Sequence, residues 1–155
     1  MRQGLPTKDL VFILIQGLLI LLFLIPILDI TSVFRGQTWK MTGLLLCATG
    51  CVMLFFSLIQ LNKNLTPFPS PKKSGKLVES GLYHYIRHPI YSGILLMTTG
   101  IGLIYNSLWK VTISLLLVIL FYFKSVYEEE LLSEKYREYK KYKEKTGRFL
   151  PRVRF

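Results

Sequence analysis

The stretch LVFILIQGLLILLFLIPIL, residues 10–28, decides the fold because it carries no charge and its one strongly polar residue is Gln16. A second uncharged stretch, MTGLLLCATGCVMLFFSLI, covers residues 41–59. Each is close to the roughly 20 residues with which an α-helix crosses a hydrocarbon core of about 30 Å. Both stretches therefore predict transmembrane helices.

Two shorter apolar segments, residues 90–105 and 107–123, follow later in the chain. Asn106 and Ser107 form a tight break between them, which predicts a helical hairpin. Lys110 lies near the start of the second segment, where its long side chain can reach the far membrane interface. These segments therefore predict a third and a fourth transmembrane helix.

The composition excludes the other broad classes of protein. The chain has 155 residues, a net charge of +11, 51% apolar residues and a mean hydropathy of +0.39, which is too apolar for a soluble domain. Its 14% aromatic content excludes a disordered chain. Cys47 and Cys51 lie inside an apolar run, so we expect them to serve packing and not a disulfide framework. The predicted fold is an all-α integral membrane protein of about four transmembrane helices, with residues 1–155 forming one domain.

Basic residues are distributed unequally between the two sides of the predicted bundle. Residues 1–9 carry two, residues 60–88 carry five and the tail after residue 123 carries ten, whereas the two opposite loops carry three in all. This bias predicts that both termini and the middle loop are cytoplasmic, and that the basic residues attract anionic lipid headgroups. We expect no nucleic-acid partner, because no recognition module accompanies the charge. The short chain favours a prokaryotic plasma membrane.

The first polar stretch, residues 64–93, differs from an ordinary loop. Three alternate prolines between residues 67 and 71 predict an extended path, because proline restricts its own backbone and that of its predecessor. Arg87 and His88 then precede Pro89, which is the predicted first residue of the third helix. A helix N-terminus beside basic side chains suits an anionic group.

Other interpretations of these residues stay open. Arg87 and His88 would also serve as interfacial residues that hydrate a helix end. His84 and His88 have the spacing of a helical metal pair, but the following proline argues against one continuous helix and no third ligand presents itself, so no metal site is predicted. Gly93 and Gly100 share a helix face, which predicts close helix packing or a ligand against the backbone.

The second polar stretch is the tail, residues 126–154. Leu132, Tyr136 and Tyr139 recur at helical spacing, which predicts a cytoplasmic amphipathic helix lying against the membrane or the protein. Residues 128–130 are three glutamates, which are unfavourable at an anionic membrane surface unless they have partners. They form either a charge cluster at a helix N-terminus or a polar cofactor site, in which carboxylates accept hydrogen bonds from ribose hydroxyls or an ammonium group.

The residues from Gly81 to Gly93 resemble a known family. They match the pattern G-x-Y-x-x-x-R-H-P-x-Y-x-G of the isoprenylcysteine carboxyl methyltransferases. The acidic residues 128–130 and the closing EYKKYKEKTGRFLP, residues 138–151, resemble the C-terminal region of that family. The related phosphatidylethanolamine N-methyltransferases share a looser version of the pattern. The resemblance covers the chain from about residue 64 to its end.

The resemblance implies a membrane methyltransferase that uses S-adenosyl-L-methionine, with a lipophilic or prenylated substrate arriving from the bilayer. Residues 64–93 and 124–155 would form the cofactor site on the cytosolic side. Carried over by position, backbone contacts would come from Gly75, Lys76, Leu77 and Val78, and the remaining contacts from Tyr83, His88, Pro89, Ile90, Tyr91, Glu128 and Glu129.

One position departs from the family pattern. The arginine that neutralises the substrate carboxylate, four residues before the cofactor-binding glutamate, is Ser125 in this chain. Lys124 and Arg87 are the two candidates for its catalytic role, although a lysine lacks the bidentate grip of an arginine. The acceptor therefore stays open between a carboxylate, a lipid amine and another nucleophile on an apolar molecule.

Two other functions are compatible with this architecture, since a fold alone does not define an activity. Sterol-reductase-like enzymes are similar in their C-terminal half and use NADPH, but a 2′-phosphate would need basic residues where this chain has glutamates 128–130. A non-enzymatic membrane scaffold would tolerate substitution of Arg87, His88 and Glu129.

Overall fold

The chain folds into helices, as its apolar runs predict. The computed structural model describes residues 6–25, 34, 36–72 and 74–152. Within these ranges there are five α-helices and no strand apart from one isolated bridge. The helices are α1 (Thr7–Leu24), α2 (Gln37–Leu61), α3 (Pro89–Ile104), α4 (Leu108–Lys135) and α5 (Tyr139–Lys145). The all-α prediction is confirmed.

Three of these helices, α1, α2 and α4, are long and apolar enough to cross a membrane, and α3 is a shorter apolar helix of 16 residues. The first helix begins at Thr7, before the predicted span, and ends at Leu24, because Ile25 precedes a proline and takes an extended backbone (φ −66°, ψ 124°). Residues 26–28 of that span lie outside the described ranges. Helix α4, in contrast, continues beyond the predicted end at residue 123.

Helices α3 and α4 form the predicted hairpin, and α3 begins at Pro89 as expected. Asn106 takes a left-handed backbone (φ +52°), which asparagine tolerates better than most residues. The Ser107 hydroxyl then caps α4 by accepting a hydrogen bond from the Lys110 backbone N–H at 3.2 Å. The chain therefore reverses direction within a few residues.

Four glycines bring α2 and α3 into close backbone contact. A Cβ added to Gly43 would lie 2.7 Å from the Gly100 carbonyl oxygen, and one added to Gly50 would lie 2.7 Å from the Gly93 carbonyl oxygen. A larger side chain at these positions would push the two backbones apart. The close packing predicted for Gly93 and Gly100 is confirmed, and their partners on α2 are also seven residues apart.

Helix α1 packs against α4 through an apolar core that includes Leu19, Phe23, Leu117 and Phe121. Lys110 joins the two helices at one end, because its ammonium donates to the Phe23 carbonyl at 2.6 Å and lies 4.6 Å from the centre of the Phe23 ring. A lysine in this position satisfies carbonyls that have no partner within the helix. The pair α1–α4 and the pair α2–α3 together form the bundle.

The tail differs from the single amphipathic helix that its spacing predicts. Helix α4 ends at Lys135, the backbone is extended at Tyr136 (φ −120°, ψ 116°), and the seven-residue helix α5 begins at Tyr139. The Tyr136 hydroxyl donates to the Gly75 carbonyl at 2.6 Å and anchors this break to the middle loop. Helical spacing does not reveal the interruption, because Leu132, Tyr136 and Tyr139 still line one cavity.

Gly50→Ala is expected to lower the melting temperature of the detergent-solubilised protein. The added Cβ would collide with the Gly93 carbonyl, and overpacking of this kind costs about 1–3 kcal/mol. Gly17→Ala is the matched control, since a Cβ there meets nothing within 4 Å. Thermal unfolding followed by circular dichroism compares the variants, and equal melting temperatures would contradict the packing of α2 on α3.

Candidate active site

The middle loop between α2 and α3 is fixed by side chains near its ends. The Asn64 side chain bonds twice to Lys76, donating to its carbonyl and accepting from its N–H, each at 3.1 Å. The Gln60 side chain accepts a hydrogen bond from the Leu82 N–H at 2.8 Å. These bonds hold residues 75–78 along the wall of a cavity.

The cavity has a volume of about 340 Å³ and lies where α2 ends and α3 begins. This volume falls within the range of about 300–1,000 Å³ that is common for small-molecule sites. Two of the predicted site residues, Pro89 and Glu129, are absent from its lining. The others line it: Gly75, Lys76, Leu77, Val78, Tyr83, Arg87, His88, Ile90, Tyr91, Lys124 and Glu128. The two predicted polar segments therefore meet at one cavity.

The cavity also reaches into the apolar part of the bundle. Gln16 on α1 and Ile94 on α3 line it, and both belong to predicted membrane spans. Leu61, at the end of α2, lines it as well. The sequence places these residues in spans and loops only, because nothing in their spacing indicates that they share a cavity with the polar segments.

Glu129 is almost completely buried (1% exposed) and is the centre of a cluster of ion pairs. The Arg87 Nε donates to one carboxylate oxygen at 2.9 Å, and the His88 Nε2 lies 3.2 Å from the same oxygen. Arg148 adds two hydrogen bonds, at 3.1 Å and 3.0 Å, and the Lys143 ammonium lies 3.0 Å away. These partners hold the carboxylate inside the protein, apart from the cavity lining.

The ion cluster fastens the tail over the start of α3. Beside it, the Gly147 N–H donates to the Tyr85 carbonyl at 3.1 Å, and the Arg87 N–H donates to the Gly147 carbonyl at 2.9 Å. Lys143 and Arg148, the two cluster members that the tail supplies, are predicted from the sequence only as basic residues near lipid headgroups. Only their pairing with a distant carboxylate identifies them, and no spacing within the tail indicates it.

Glu128, the residue before Glu129, lines the cavity instead. The Tyr91 hydroxyl donates to its carboxylate at 2.8 Å, and the His88 Nδ1 lies 3.7 Å from it. The Tyr91 ring stacks on the His88 ring, with centroids 5.3 Å apart and 1° between their planes. Neighbouring residues of an α-helix point about 100° apart. Helix α4 therefore presents one carboxylate to the ion cluster and the next to the cavity.

Lys124 lies at the cavity and is 2% exposed. Its ammonium donates to the Gln16 side-chain oxygen at 2.6 Å and to the Pro67 carbonyl at 3.3 Å, and it lies 5.4 Å from the centre of the Tyr91 ring. An ammonium has three N–H donors, and two of them are used in these bonds to described residues. Ser125, at the family's arginine position, is buried and donates to the Tyr122 carbonyl at 2.8 Å.

Three tyrosines of the site, Tyr83, Tyr139 and Tyr142, are buried. Burial raises the pKa of each phenol well above its ordinary value, and the negative charge of Glu128 raises the pKa of Tyr83 further. Each phenol therefore keeps its proton at physiological pH and has an O–H to donate. The Tyr142 hydroxyl, for example, donates to the Tyr83 carbonyl at 2.5 Å.

The histidines of the site do not form the metal pair that their spacing suggested. His84 lies exposed on a short 3-10 turn, whereas His88 is buried beside Glu129. The α-helix begins only at Pro89, so the two residues do not share a helix face. Among the residues that the structure describes, no three His, Cys, Asp or Glu side chains are grouped to hold a metal ion.

Apolar helices long enough to cross a membrane, with a partly polar cavity between them, are typical of a membrane protein with an internal cavity. The model of the phospholipid methyltransferase family matches residues 39–139, which include nearly all of α2, the cavity loop, α3 and α4. The chain belongs to the phospholipid methyltransferase family and is therefore a membrane methyltransferase. The match confirms the predicted membership of the wider isoprenylcysteine and phospholipid methyltransferase family. No curated protein matches the chain.

Glu129→Gln is expected to lower the melting temperature strongly. Breaking a buried ion pair leaves its cationic partners uncompensated, which costs about 3–5 kcal/mol. Glu128→Gln is the matched control, because it removes the same charge one residue earlier from a side chain that is 25% exposed. Thermal unfolding in detergent compares the two. A Glu129→Gln variant as stable as Glu128→Gln would contradict the structural role of the cluster.

Proposed function

We propose that this membrane methyltransferase transfers a methyl group from S-adenosyl-L-methionine to a lipophilic acceptor that enters from the bilayer. The lining of the cavity carries the proposal, because it joins polar residues such as His88 and Glu128 to Gln16 and Ile94 within the apolar helices. A polar cofactor and an apolar acceptor can therefore meet in one place.

The residues around the cavity fit S-adenosylmethionine. Glu128 presents a carboxylate suited to ribose hydroxyls or an ammonium group, and residues 75–78 present backbone groups. The rings of Tyr83 and Tyr91 offer aromatic walls for an adenine. When bound, the cofactor supplies an activated methyl group on a sulfonium, so the protein mainly has to align donor and acceptor.

We assign Arg87 and Glu129 positioning roles at this site. The Arg87 guanidinium bonds to Glu129 through Nε and donates to the carbonyls of Lys143 and Thr146 through Nη1, which ties this side chain to the ion cluster. Glu129, which the family resemblance assigns to the cofactor, would act through the same cluster. It fixes His88, which lines the cavity and whose ring stacks on the ring of Tyr91.

Lys124 is the residue that we assign to the acceptor. The N–H that Gln16 and Pro67 leave unused would bind and neutralise a carboxylate, as a point charge in place of the family's arginine. A carboxylate acceptor requires no general base. A lipid amine is the second candidate, because the matching family is that of the phospholipid methyltransferases and Glu128 offers a carboxylate that would accept an amine proton.

The orientation follows from the distribution of charge. The cavity lies at the end of the bundle that carries the middle loop and the tail, where fifteen of the twenty basic residues are found, so we place it on the cytosolic side. Lys140, Lys141 and Lys145 are exposed on α5 and would contact anionic lipid headgroups there. In this orientation both termini are cytoplasmic.

The methyl acceptor is identified by measuring transfer of label from radiolabelled S-adenosylmethionine to farnesylcysteine and to phosphatidylethanolamine, each in detergent micelles. We expect label in farnesylcysteine as a base-labile ester. Lys124→Met is expected to lower this transfer about 10- to 100-fold, since a charge-assisted hydrogen bond is lost. Lys140→Met, which removes an exposed charge from α5, is the control. Base-stable label in the amine lipid, at a rate unchanged in Lys124→Met, would contradict the carboxylate assignment.

A further inference from the structure

Tyr139, the first residue of α5, has a buried hydroxyl without a partner. Among the described residues, two buried side-chain polar atoms have no hydrogen-bond partner, the Tyr139 hydroxyl and one carboxylate oxygen of Asp9. The other oxygen of Asp9 accepts a hydrogen bond from the Ser70 N–H at 3.2 Å, so that carboxylate is anchored. Tyr139 is 1% exposed and lines the cavity.

An unpaired hydroxyl in this position is unfavourable for the empty protein. A buried polar group without a partner costs about 1–3 kcal/mol, whereas a phenylalanine of the same shape would carry no such penalty. Three other tyrosines of the cavity donate their hydroxyl hydrogen bonds to the protein itself: Tyr91 to Glu128, Tyr136 to the Gly75 carbonyl and Tyr142 to the Tyr83 carbonyl. Among the described residues the Tyr139 hydroxyl has no such bond, although Tyr139 lines the same cavity.

The surroundings of Tyr139 fix the position of this hydroxyl. Its backbone N–H donates to the Tyr136 carbonyl at 3.1 Å, which closes the turn between α4 and α5. Its ring meets the Tyr142 ring edge-on, with centroids 5.7 Å apart. Burial raises the pKa of its phenol, and the charge of Glu129 raises it further, although Arg87 lowers it. The phenol therefore stays protonated and keeps an O–H to donate. A rigid donor beside the ion cluster results.

We infer that the Tyr139 hydroxyl donates a hydrogen bond to an acceptor atom of the bound nucleoside cofactor, and that Tyr139 is a cofactor-binding residue. The inference rests on the proposed function, since it takes S-adenosylmethionine as the occupant. It also explains the break in the tail at Tyr136. A continuous α4 would carry residue 139 onward along the helix axis, whereas the break returns its side chain to the cavity.

Isothermal titration of the full chain in detergent with S-adenosylhomocysteine tests this inference. Tyr139→Phe is expected to raise the dissociation constant about tenfold, through loss of one hydrogen bond in a buried site. Without ligand, its melting temperature is expected to equal or exceed that of the natural chain, because no hydrogen bond of the protein is lost. Tyr142→Phe is the matched control and is expected to lower the melting temperature, since its hydroxyl bonds to the Tyr83 carbonyl.

The outcomes separate this inference from the proposed function. If the natural chain binds S-adenosylhomocysteine and Tyr139→Phe binds it equally well, the hydroxyl serves an internal water and the inference is overturned while the proposed function stands. If the folded natural chain does not bind the ligand, both are overturned. If Tyr139→Phe does weaken binding, a second titration with 5′-methylthioadenosine shows which part of the ligand carries the hydrogen-bond acceptor. A weakening shared by both ligands supports a bond to the nucleoside, and a weakening for S-adenosylhomocysteine alone supports a bond to the amino-acid arm.

Discussion

The architecture of the site depends on one buried carboxylate, that of Glu129. A carboxylate that is 1% exposed is strongly unfavourable inside a protein unless cations and hydrogen-bond donors surround it. Its partners come from two distant segments, Arg87 and His88 before α3, and Lys143 and Arg148 in the tail. Satisfying this one charge therefore requires the tail to fold back, and the folded tail supplies part of the cavity wall.

Helical geometry directs the carboxylates of two neighbouring residues of α4 to different places, one to the ion cluster and one to the cavity. Because Glu128 precedes Glu129, its carboxylate is directed to the cavity when its neighbour enters the ion cluster. Lys124, one turn earlier, reaches the same cavity and meets Gln16 of α1. The glycine contacts hold α2 against α3, and these two helices contribute Leu61 and Ile94 to the cavity lining. One rigid helix thus presents an acidic and a basic group to a common space.

Much of this arrangement is readable from the sequence. Uncharged apolar runs of about 20 residues predict helices, because a helix of this length crosses the hydrocarbon core with its backbone groups hydrogen-bonded. The residues from Gly81 to Gly93 predict the family and one wall of the site. Long-range pairing is not readable in this way. Adjacent glutamates look equivalent until their partners are known, and the interruption at Tyr136 keeps helical spacing in the sequence while it redirects the chain. The cationic partners in the tail are indistinguishable from the solvated lysines around them.

We propose that this cavity binds a methyltransferase cofactor and not another nucleotide. The most direct measurement compares the heat of binding of S-adenosylhomocysteine with that of NADPH, using detergent-purified protein whose cooperative unfolding shows that it is folded. We expect saturable binding of S-adenosylhomocysteine in the micromolar range and no binding of NADPH, because Glu128 would repel a 2′-phosphate. Binding of NADPH, or no binding of S-adenosylhomocysteine to folded protein, would contradict it.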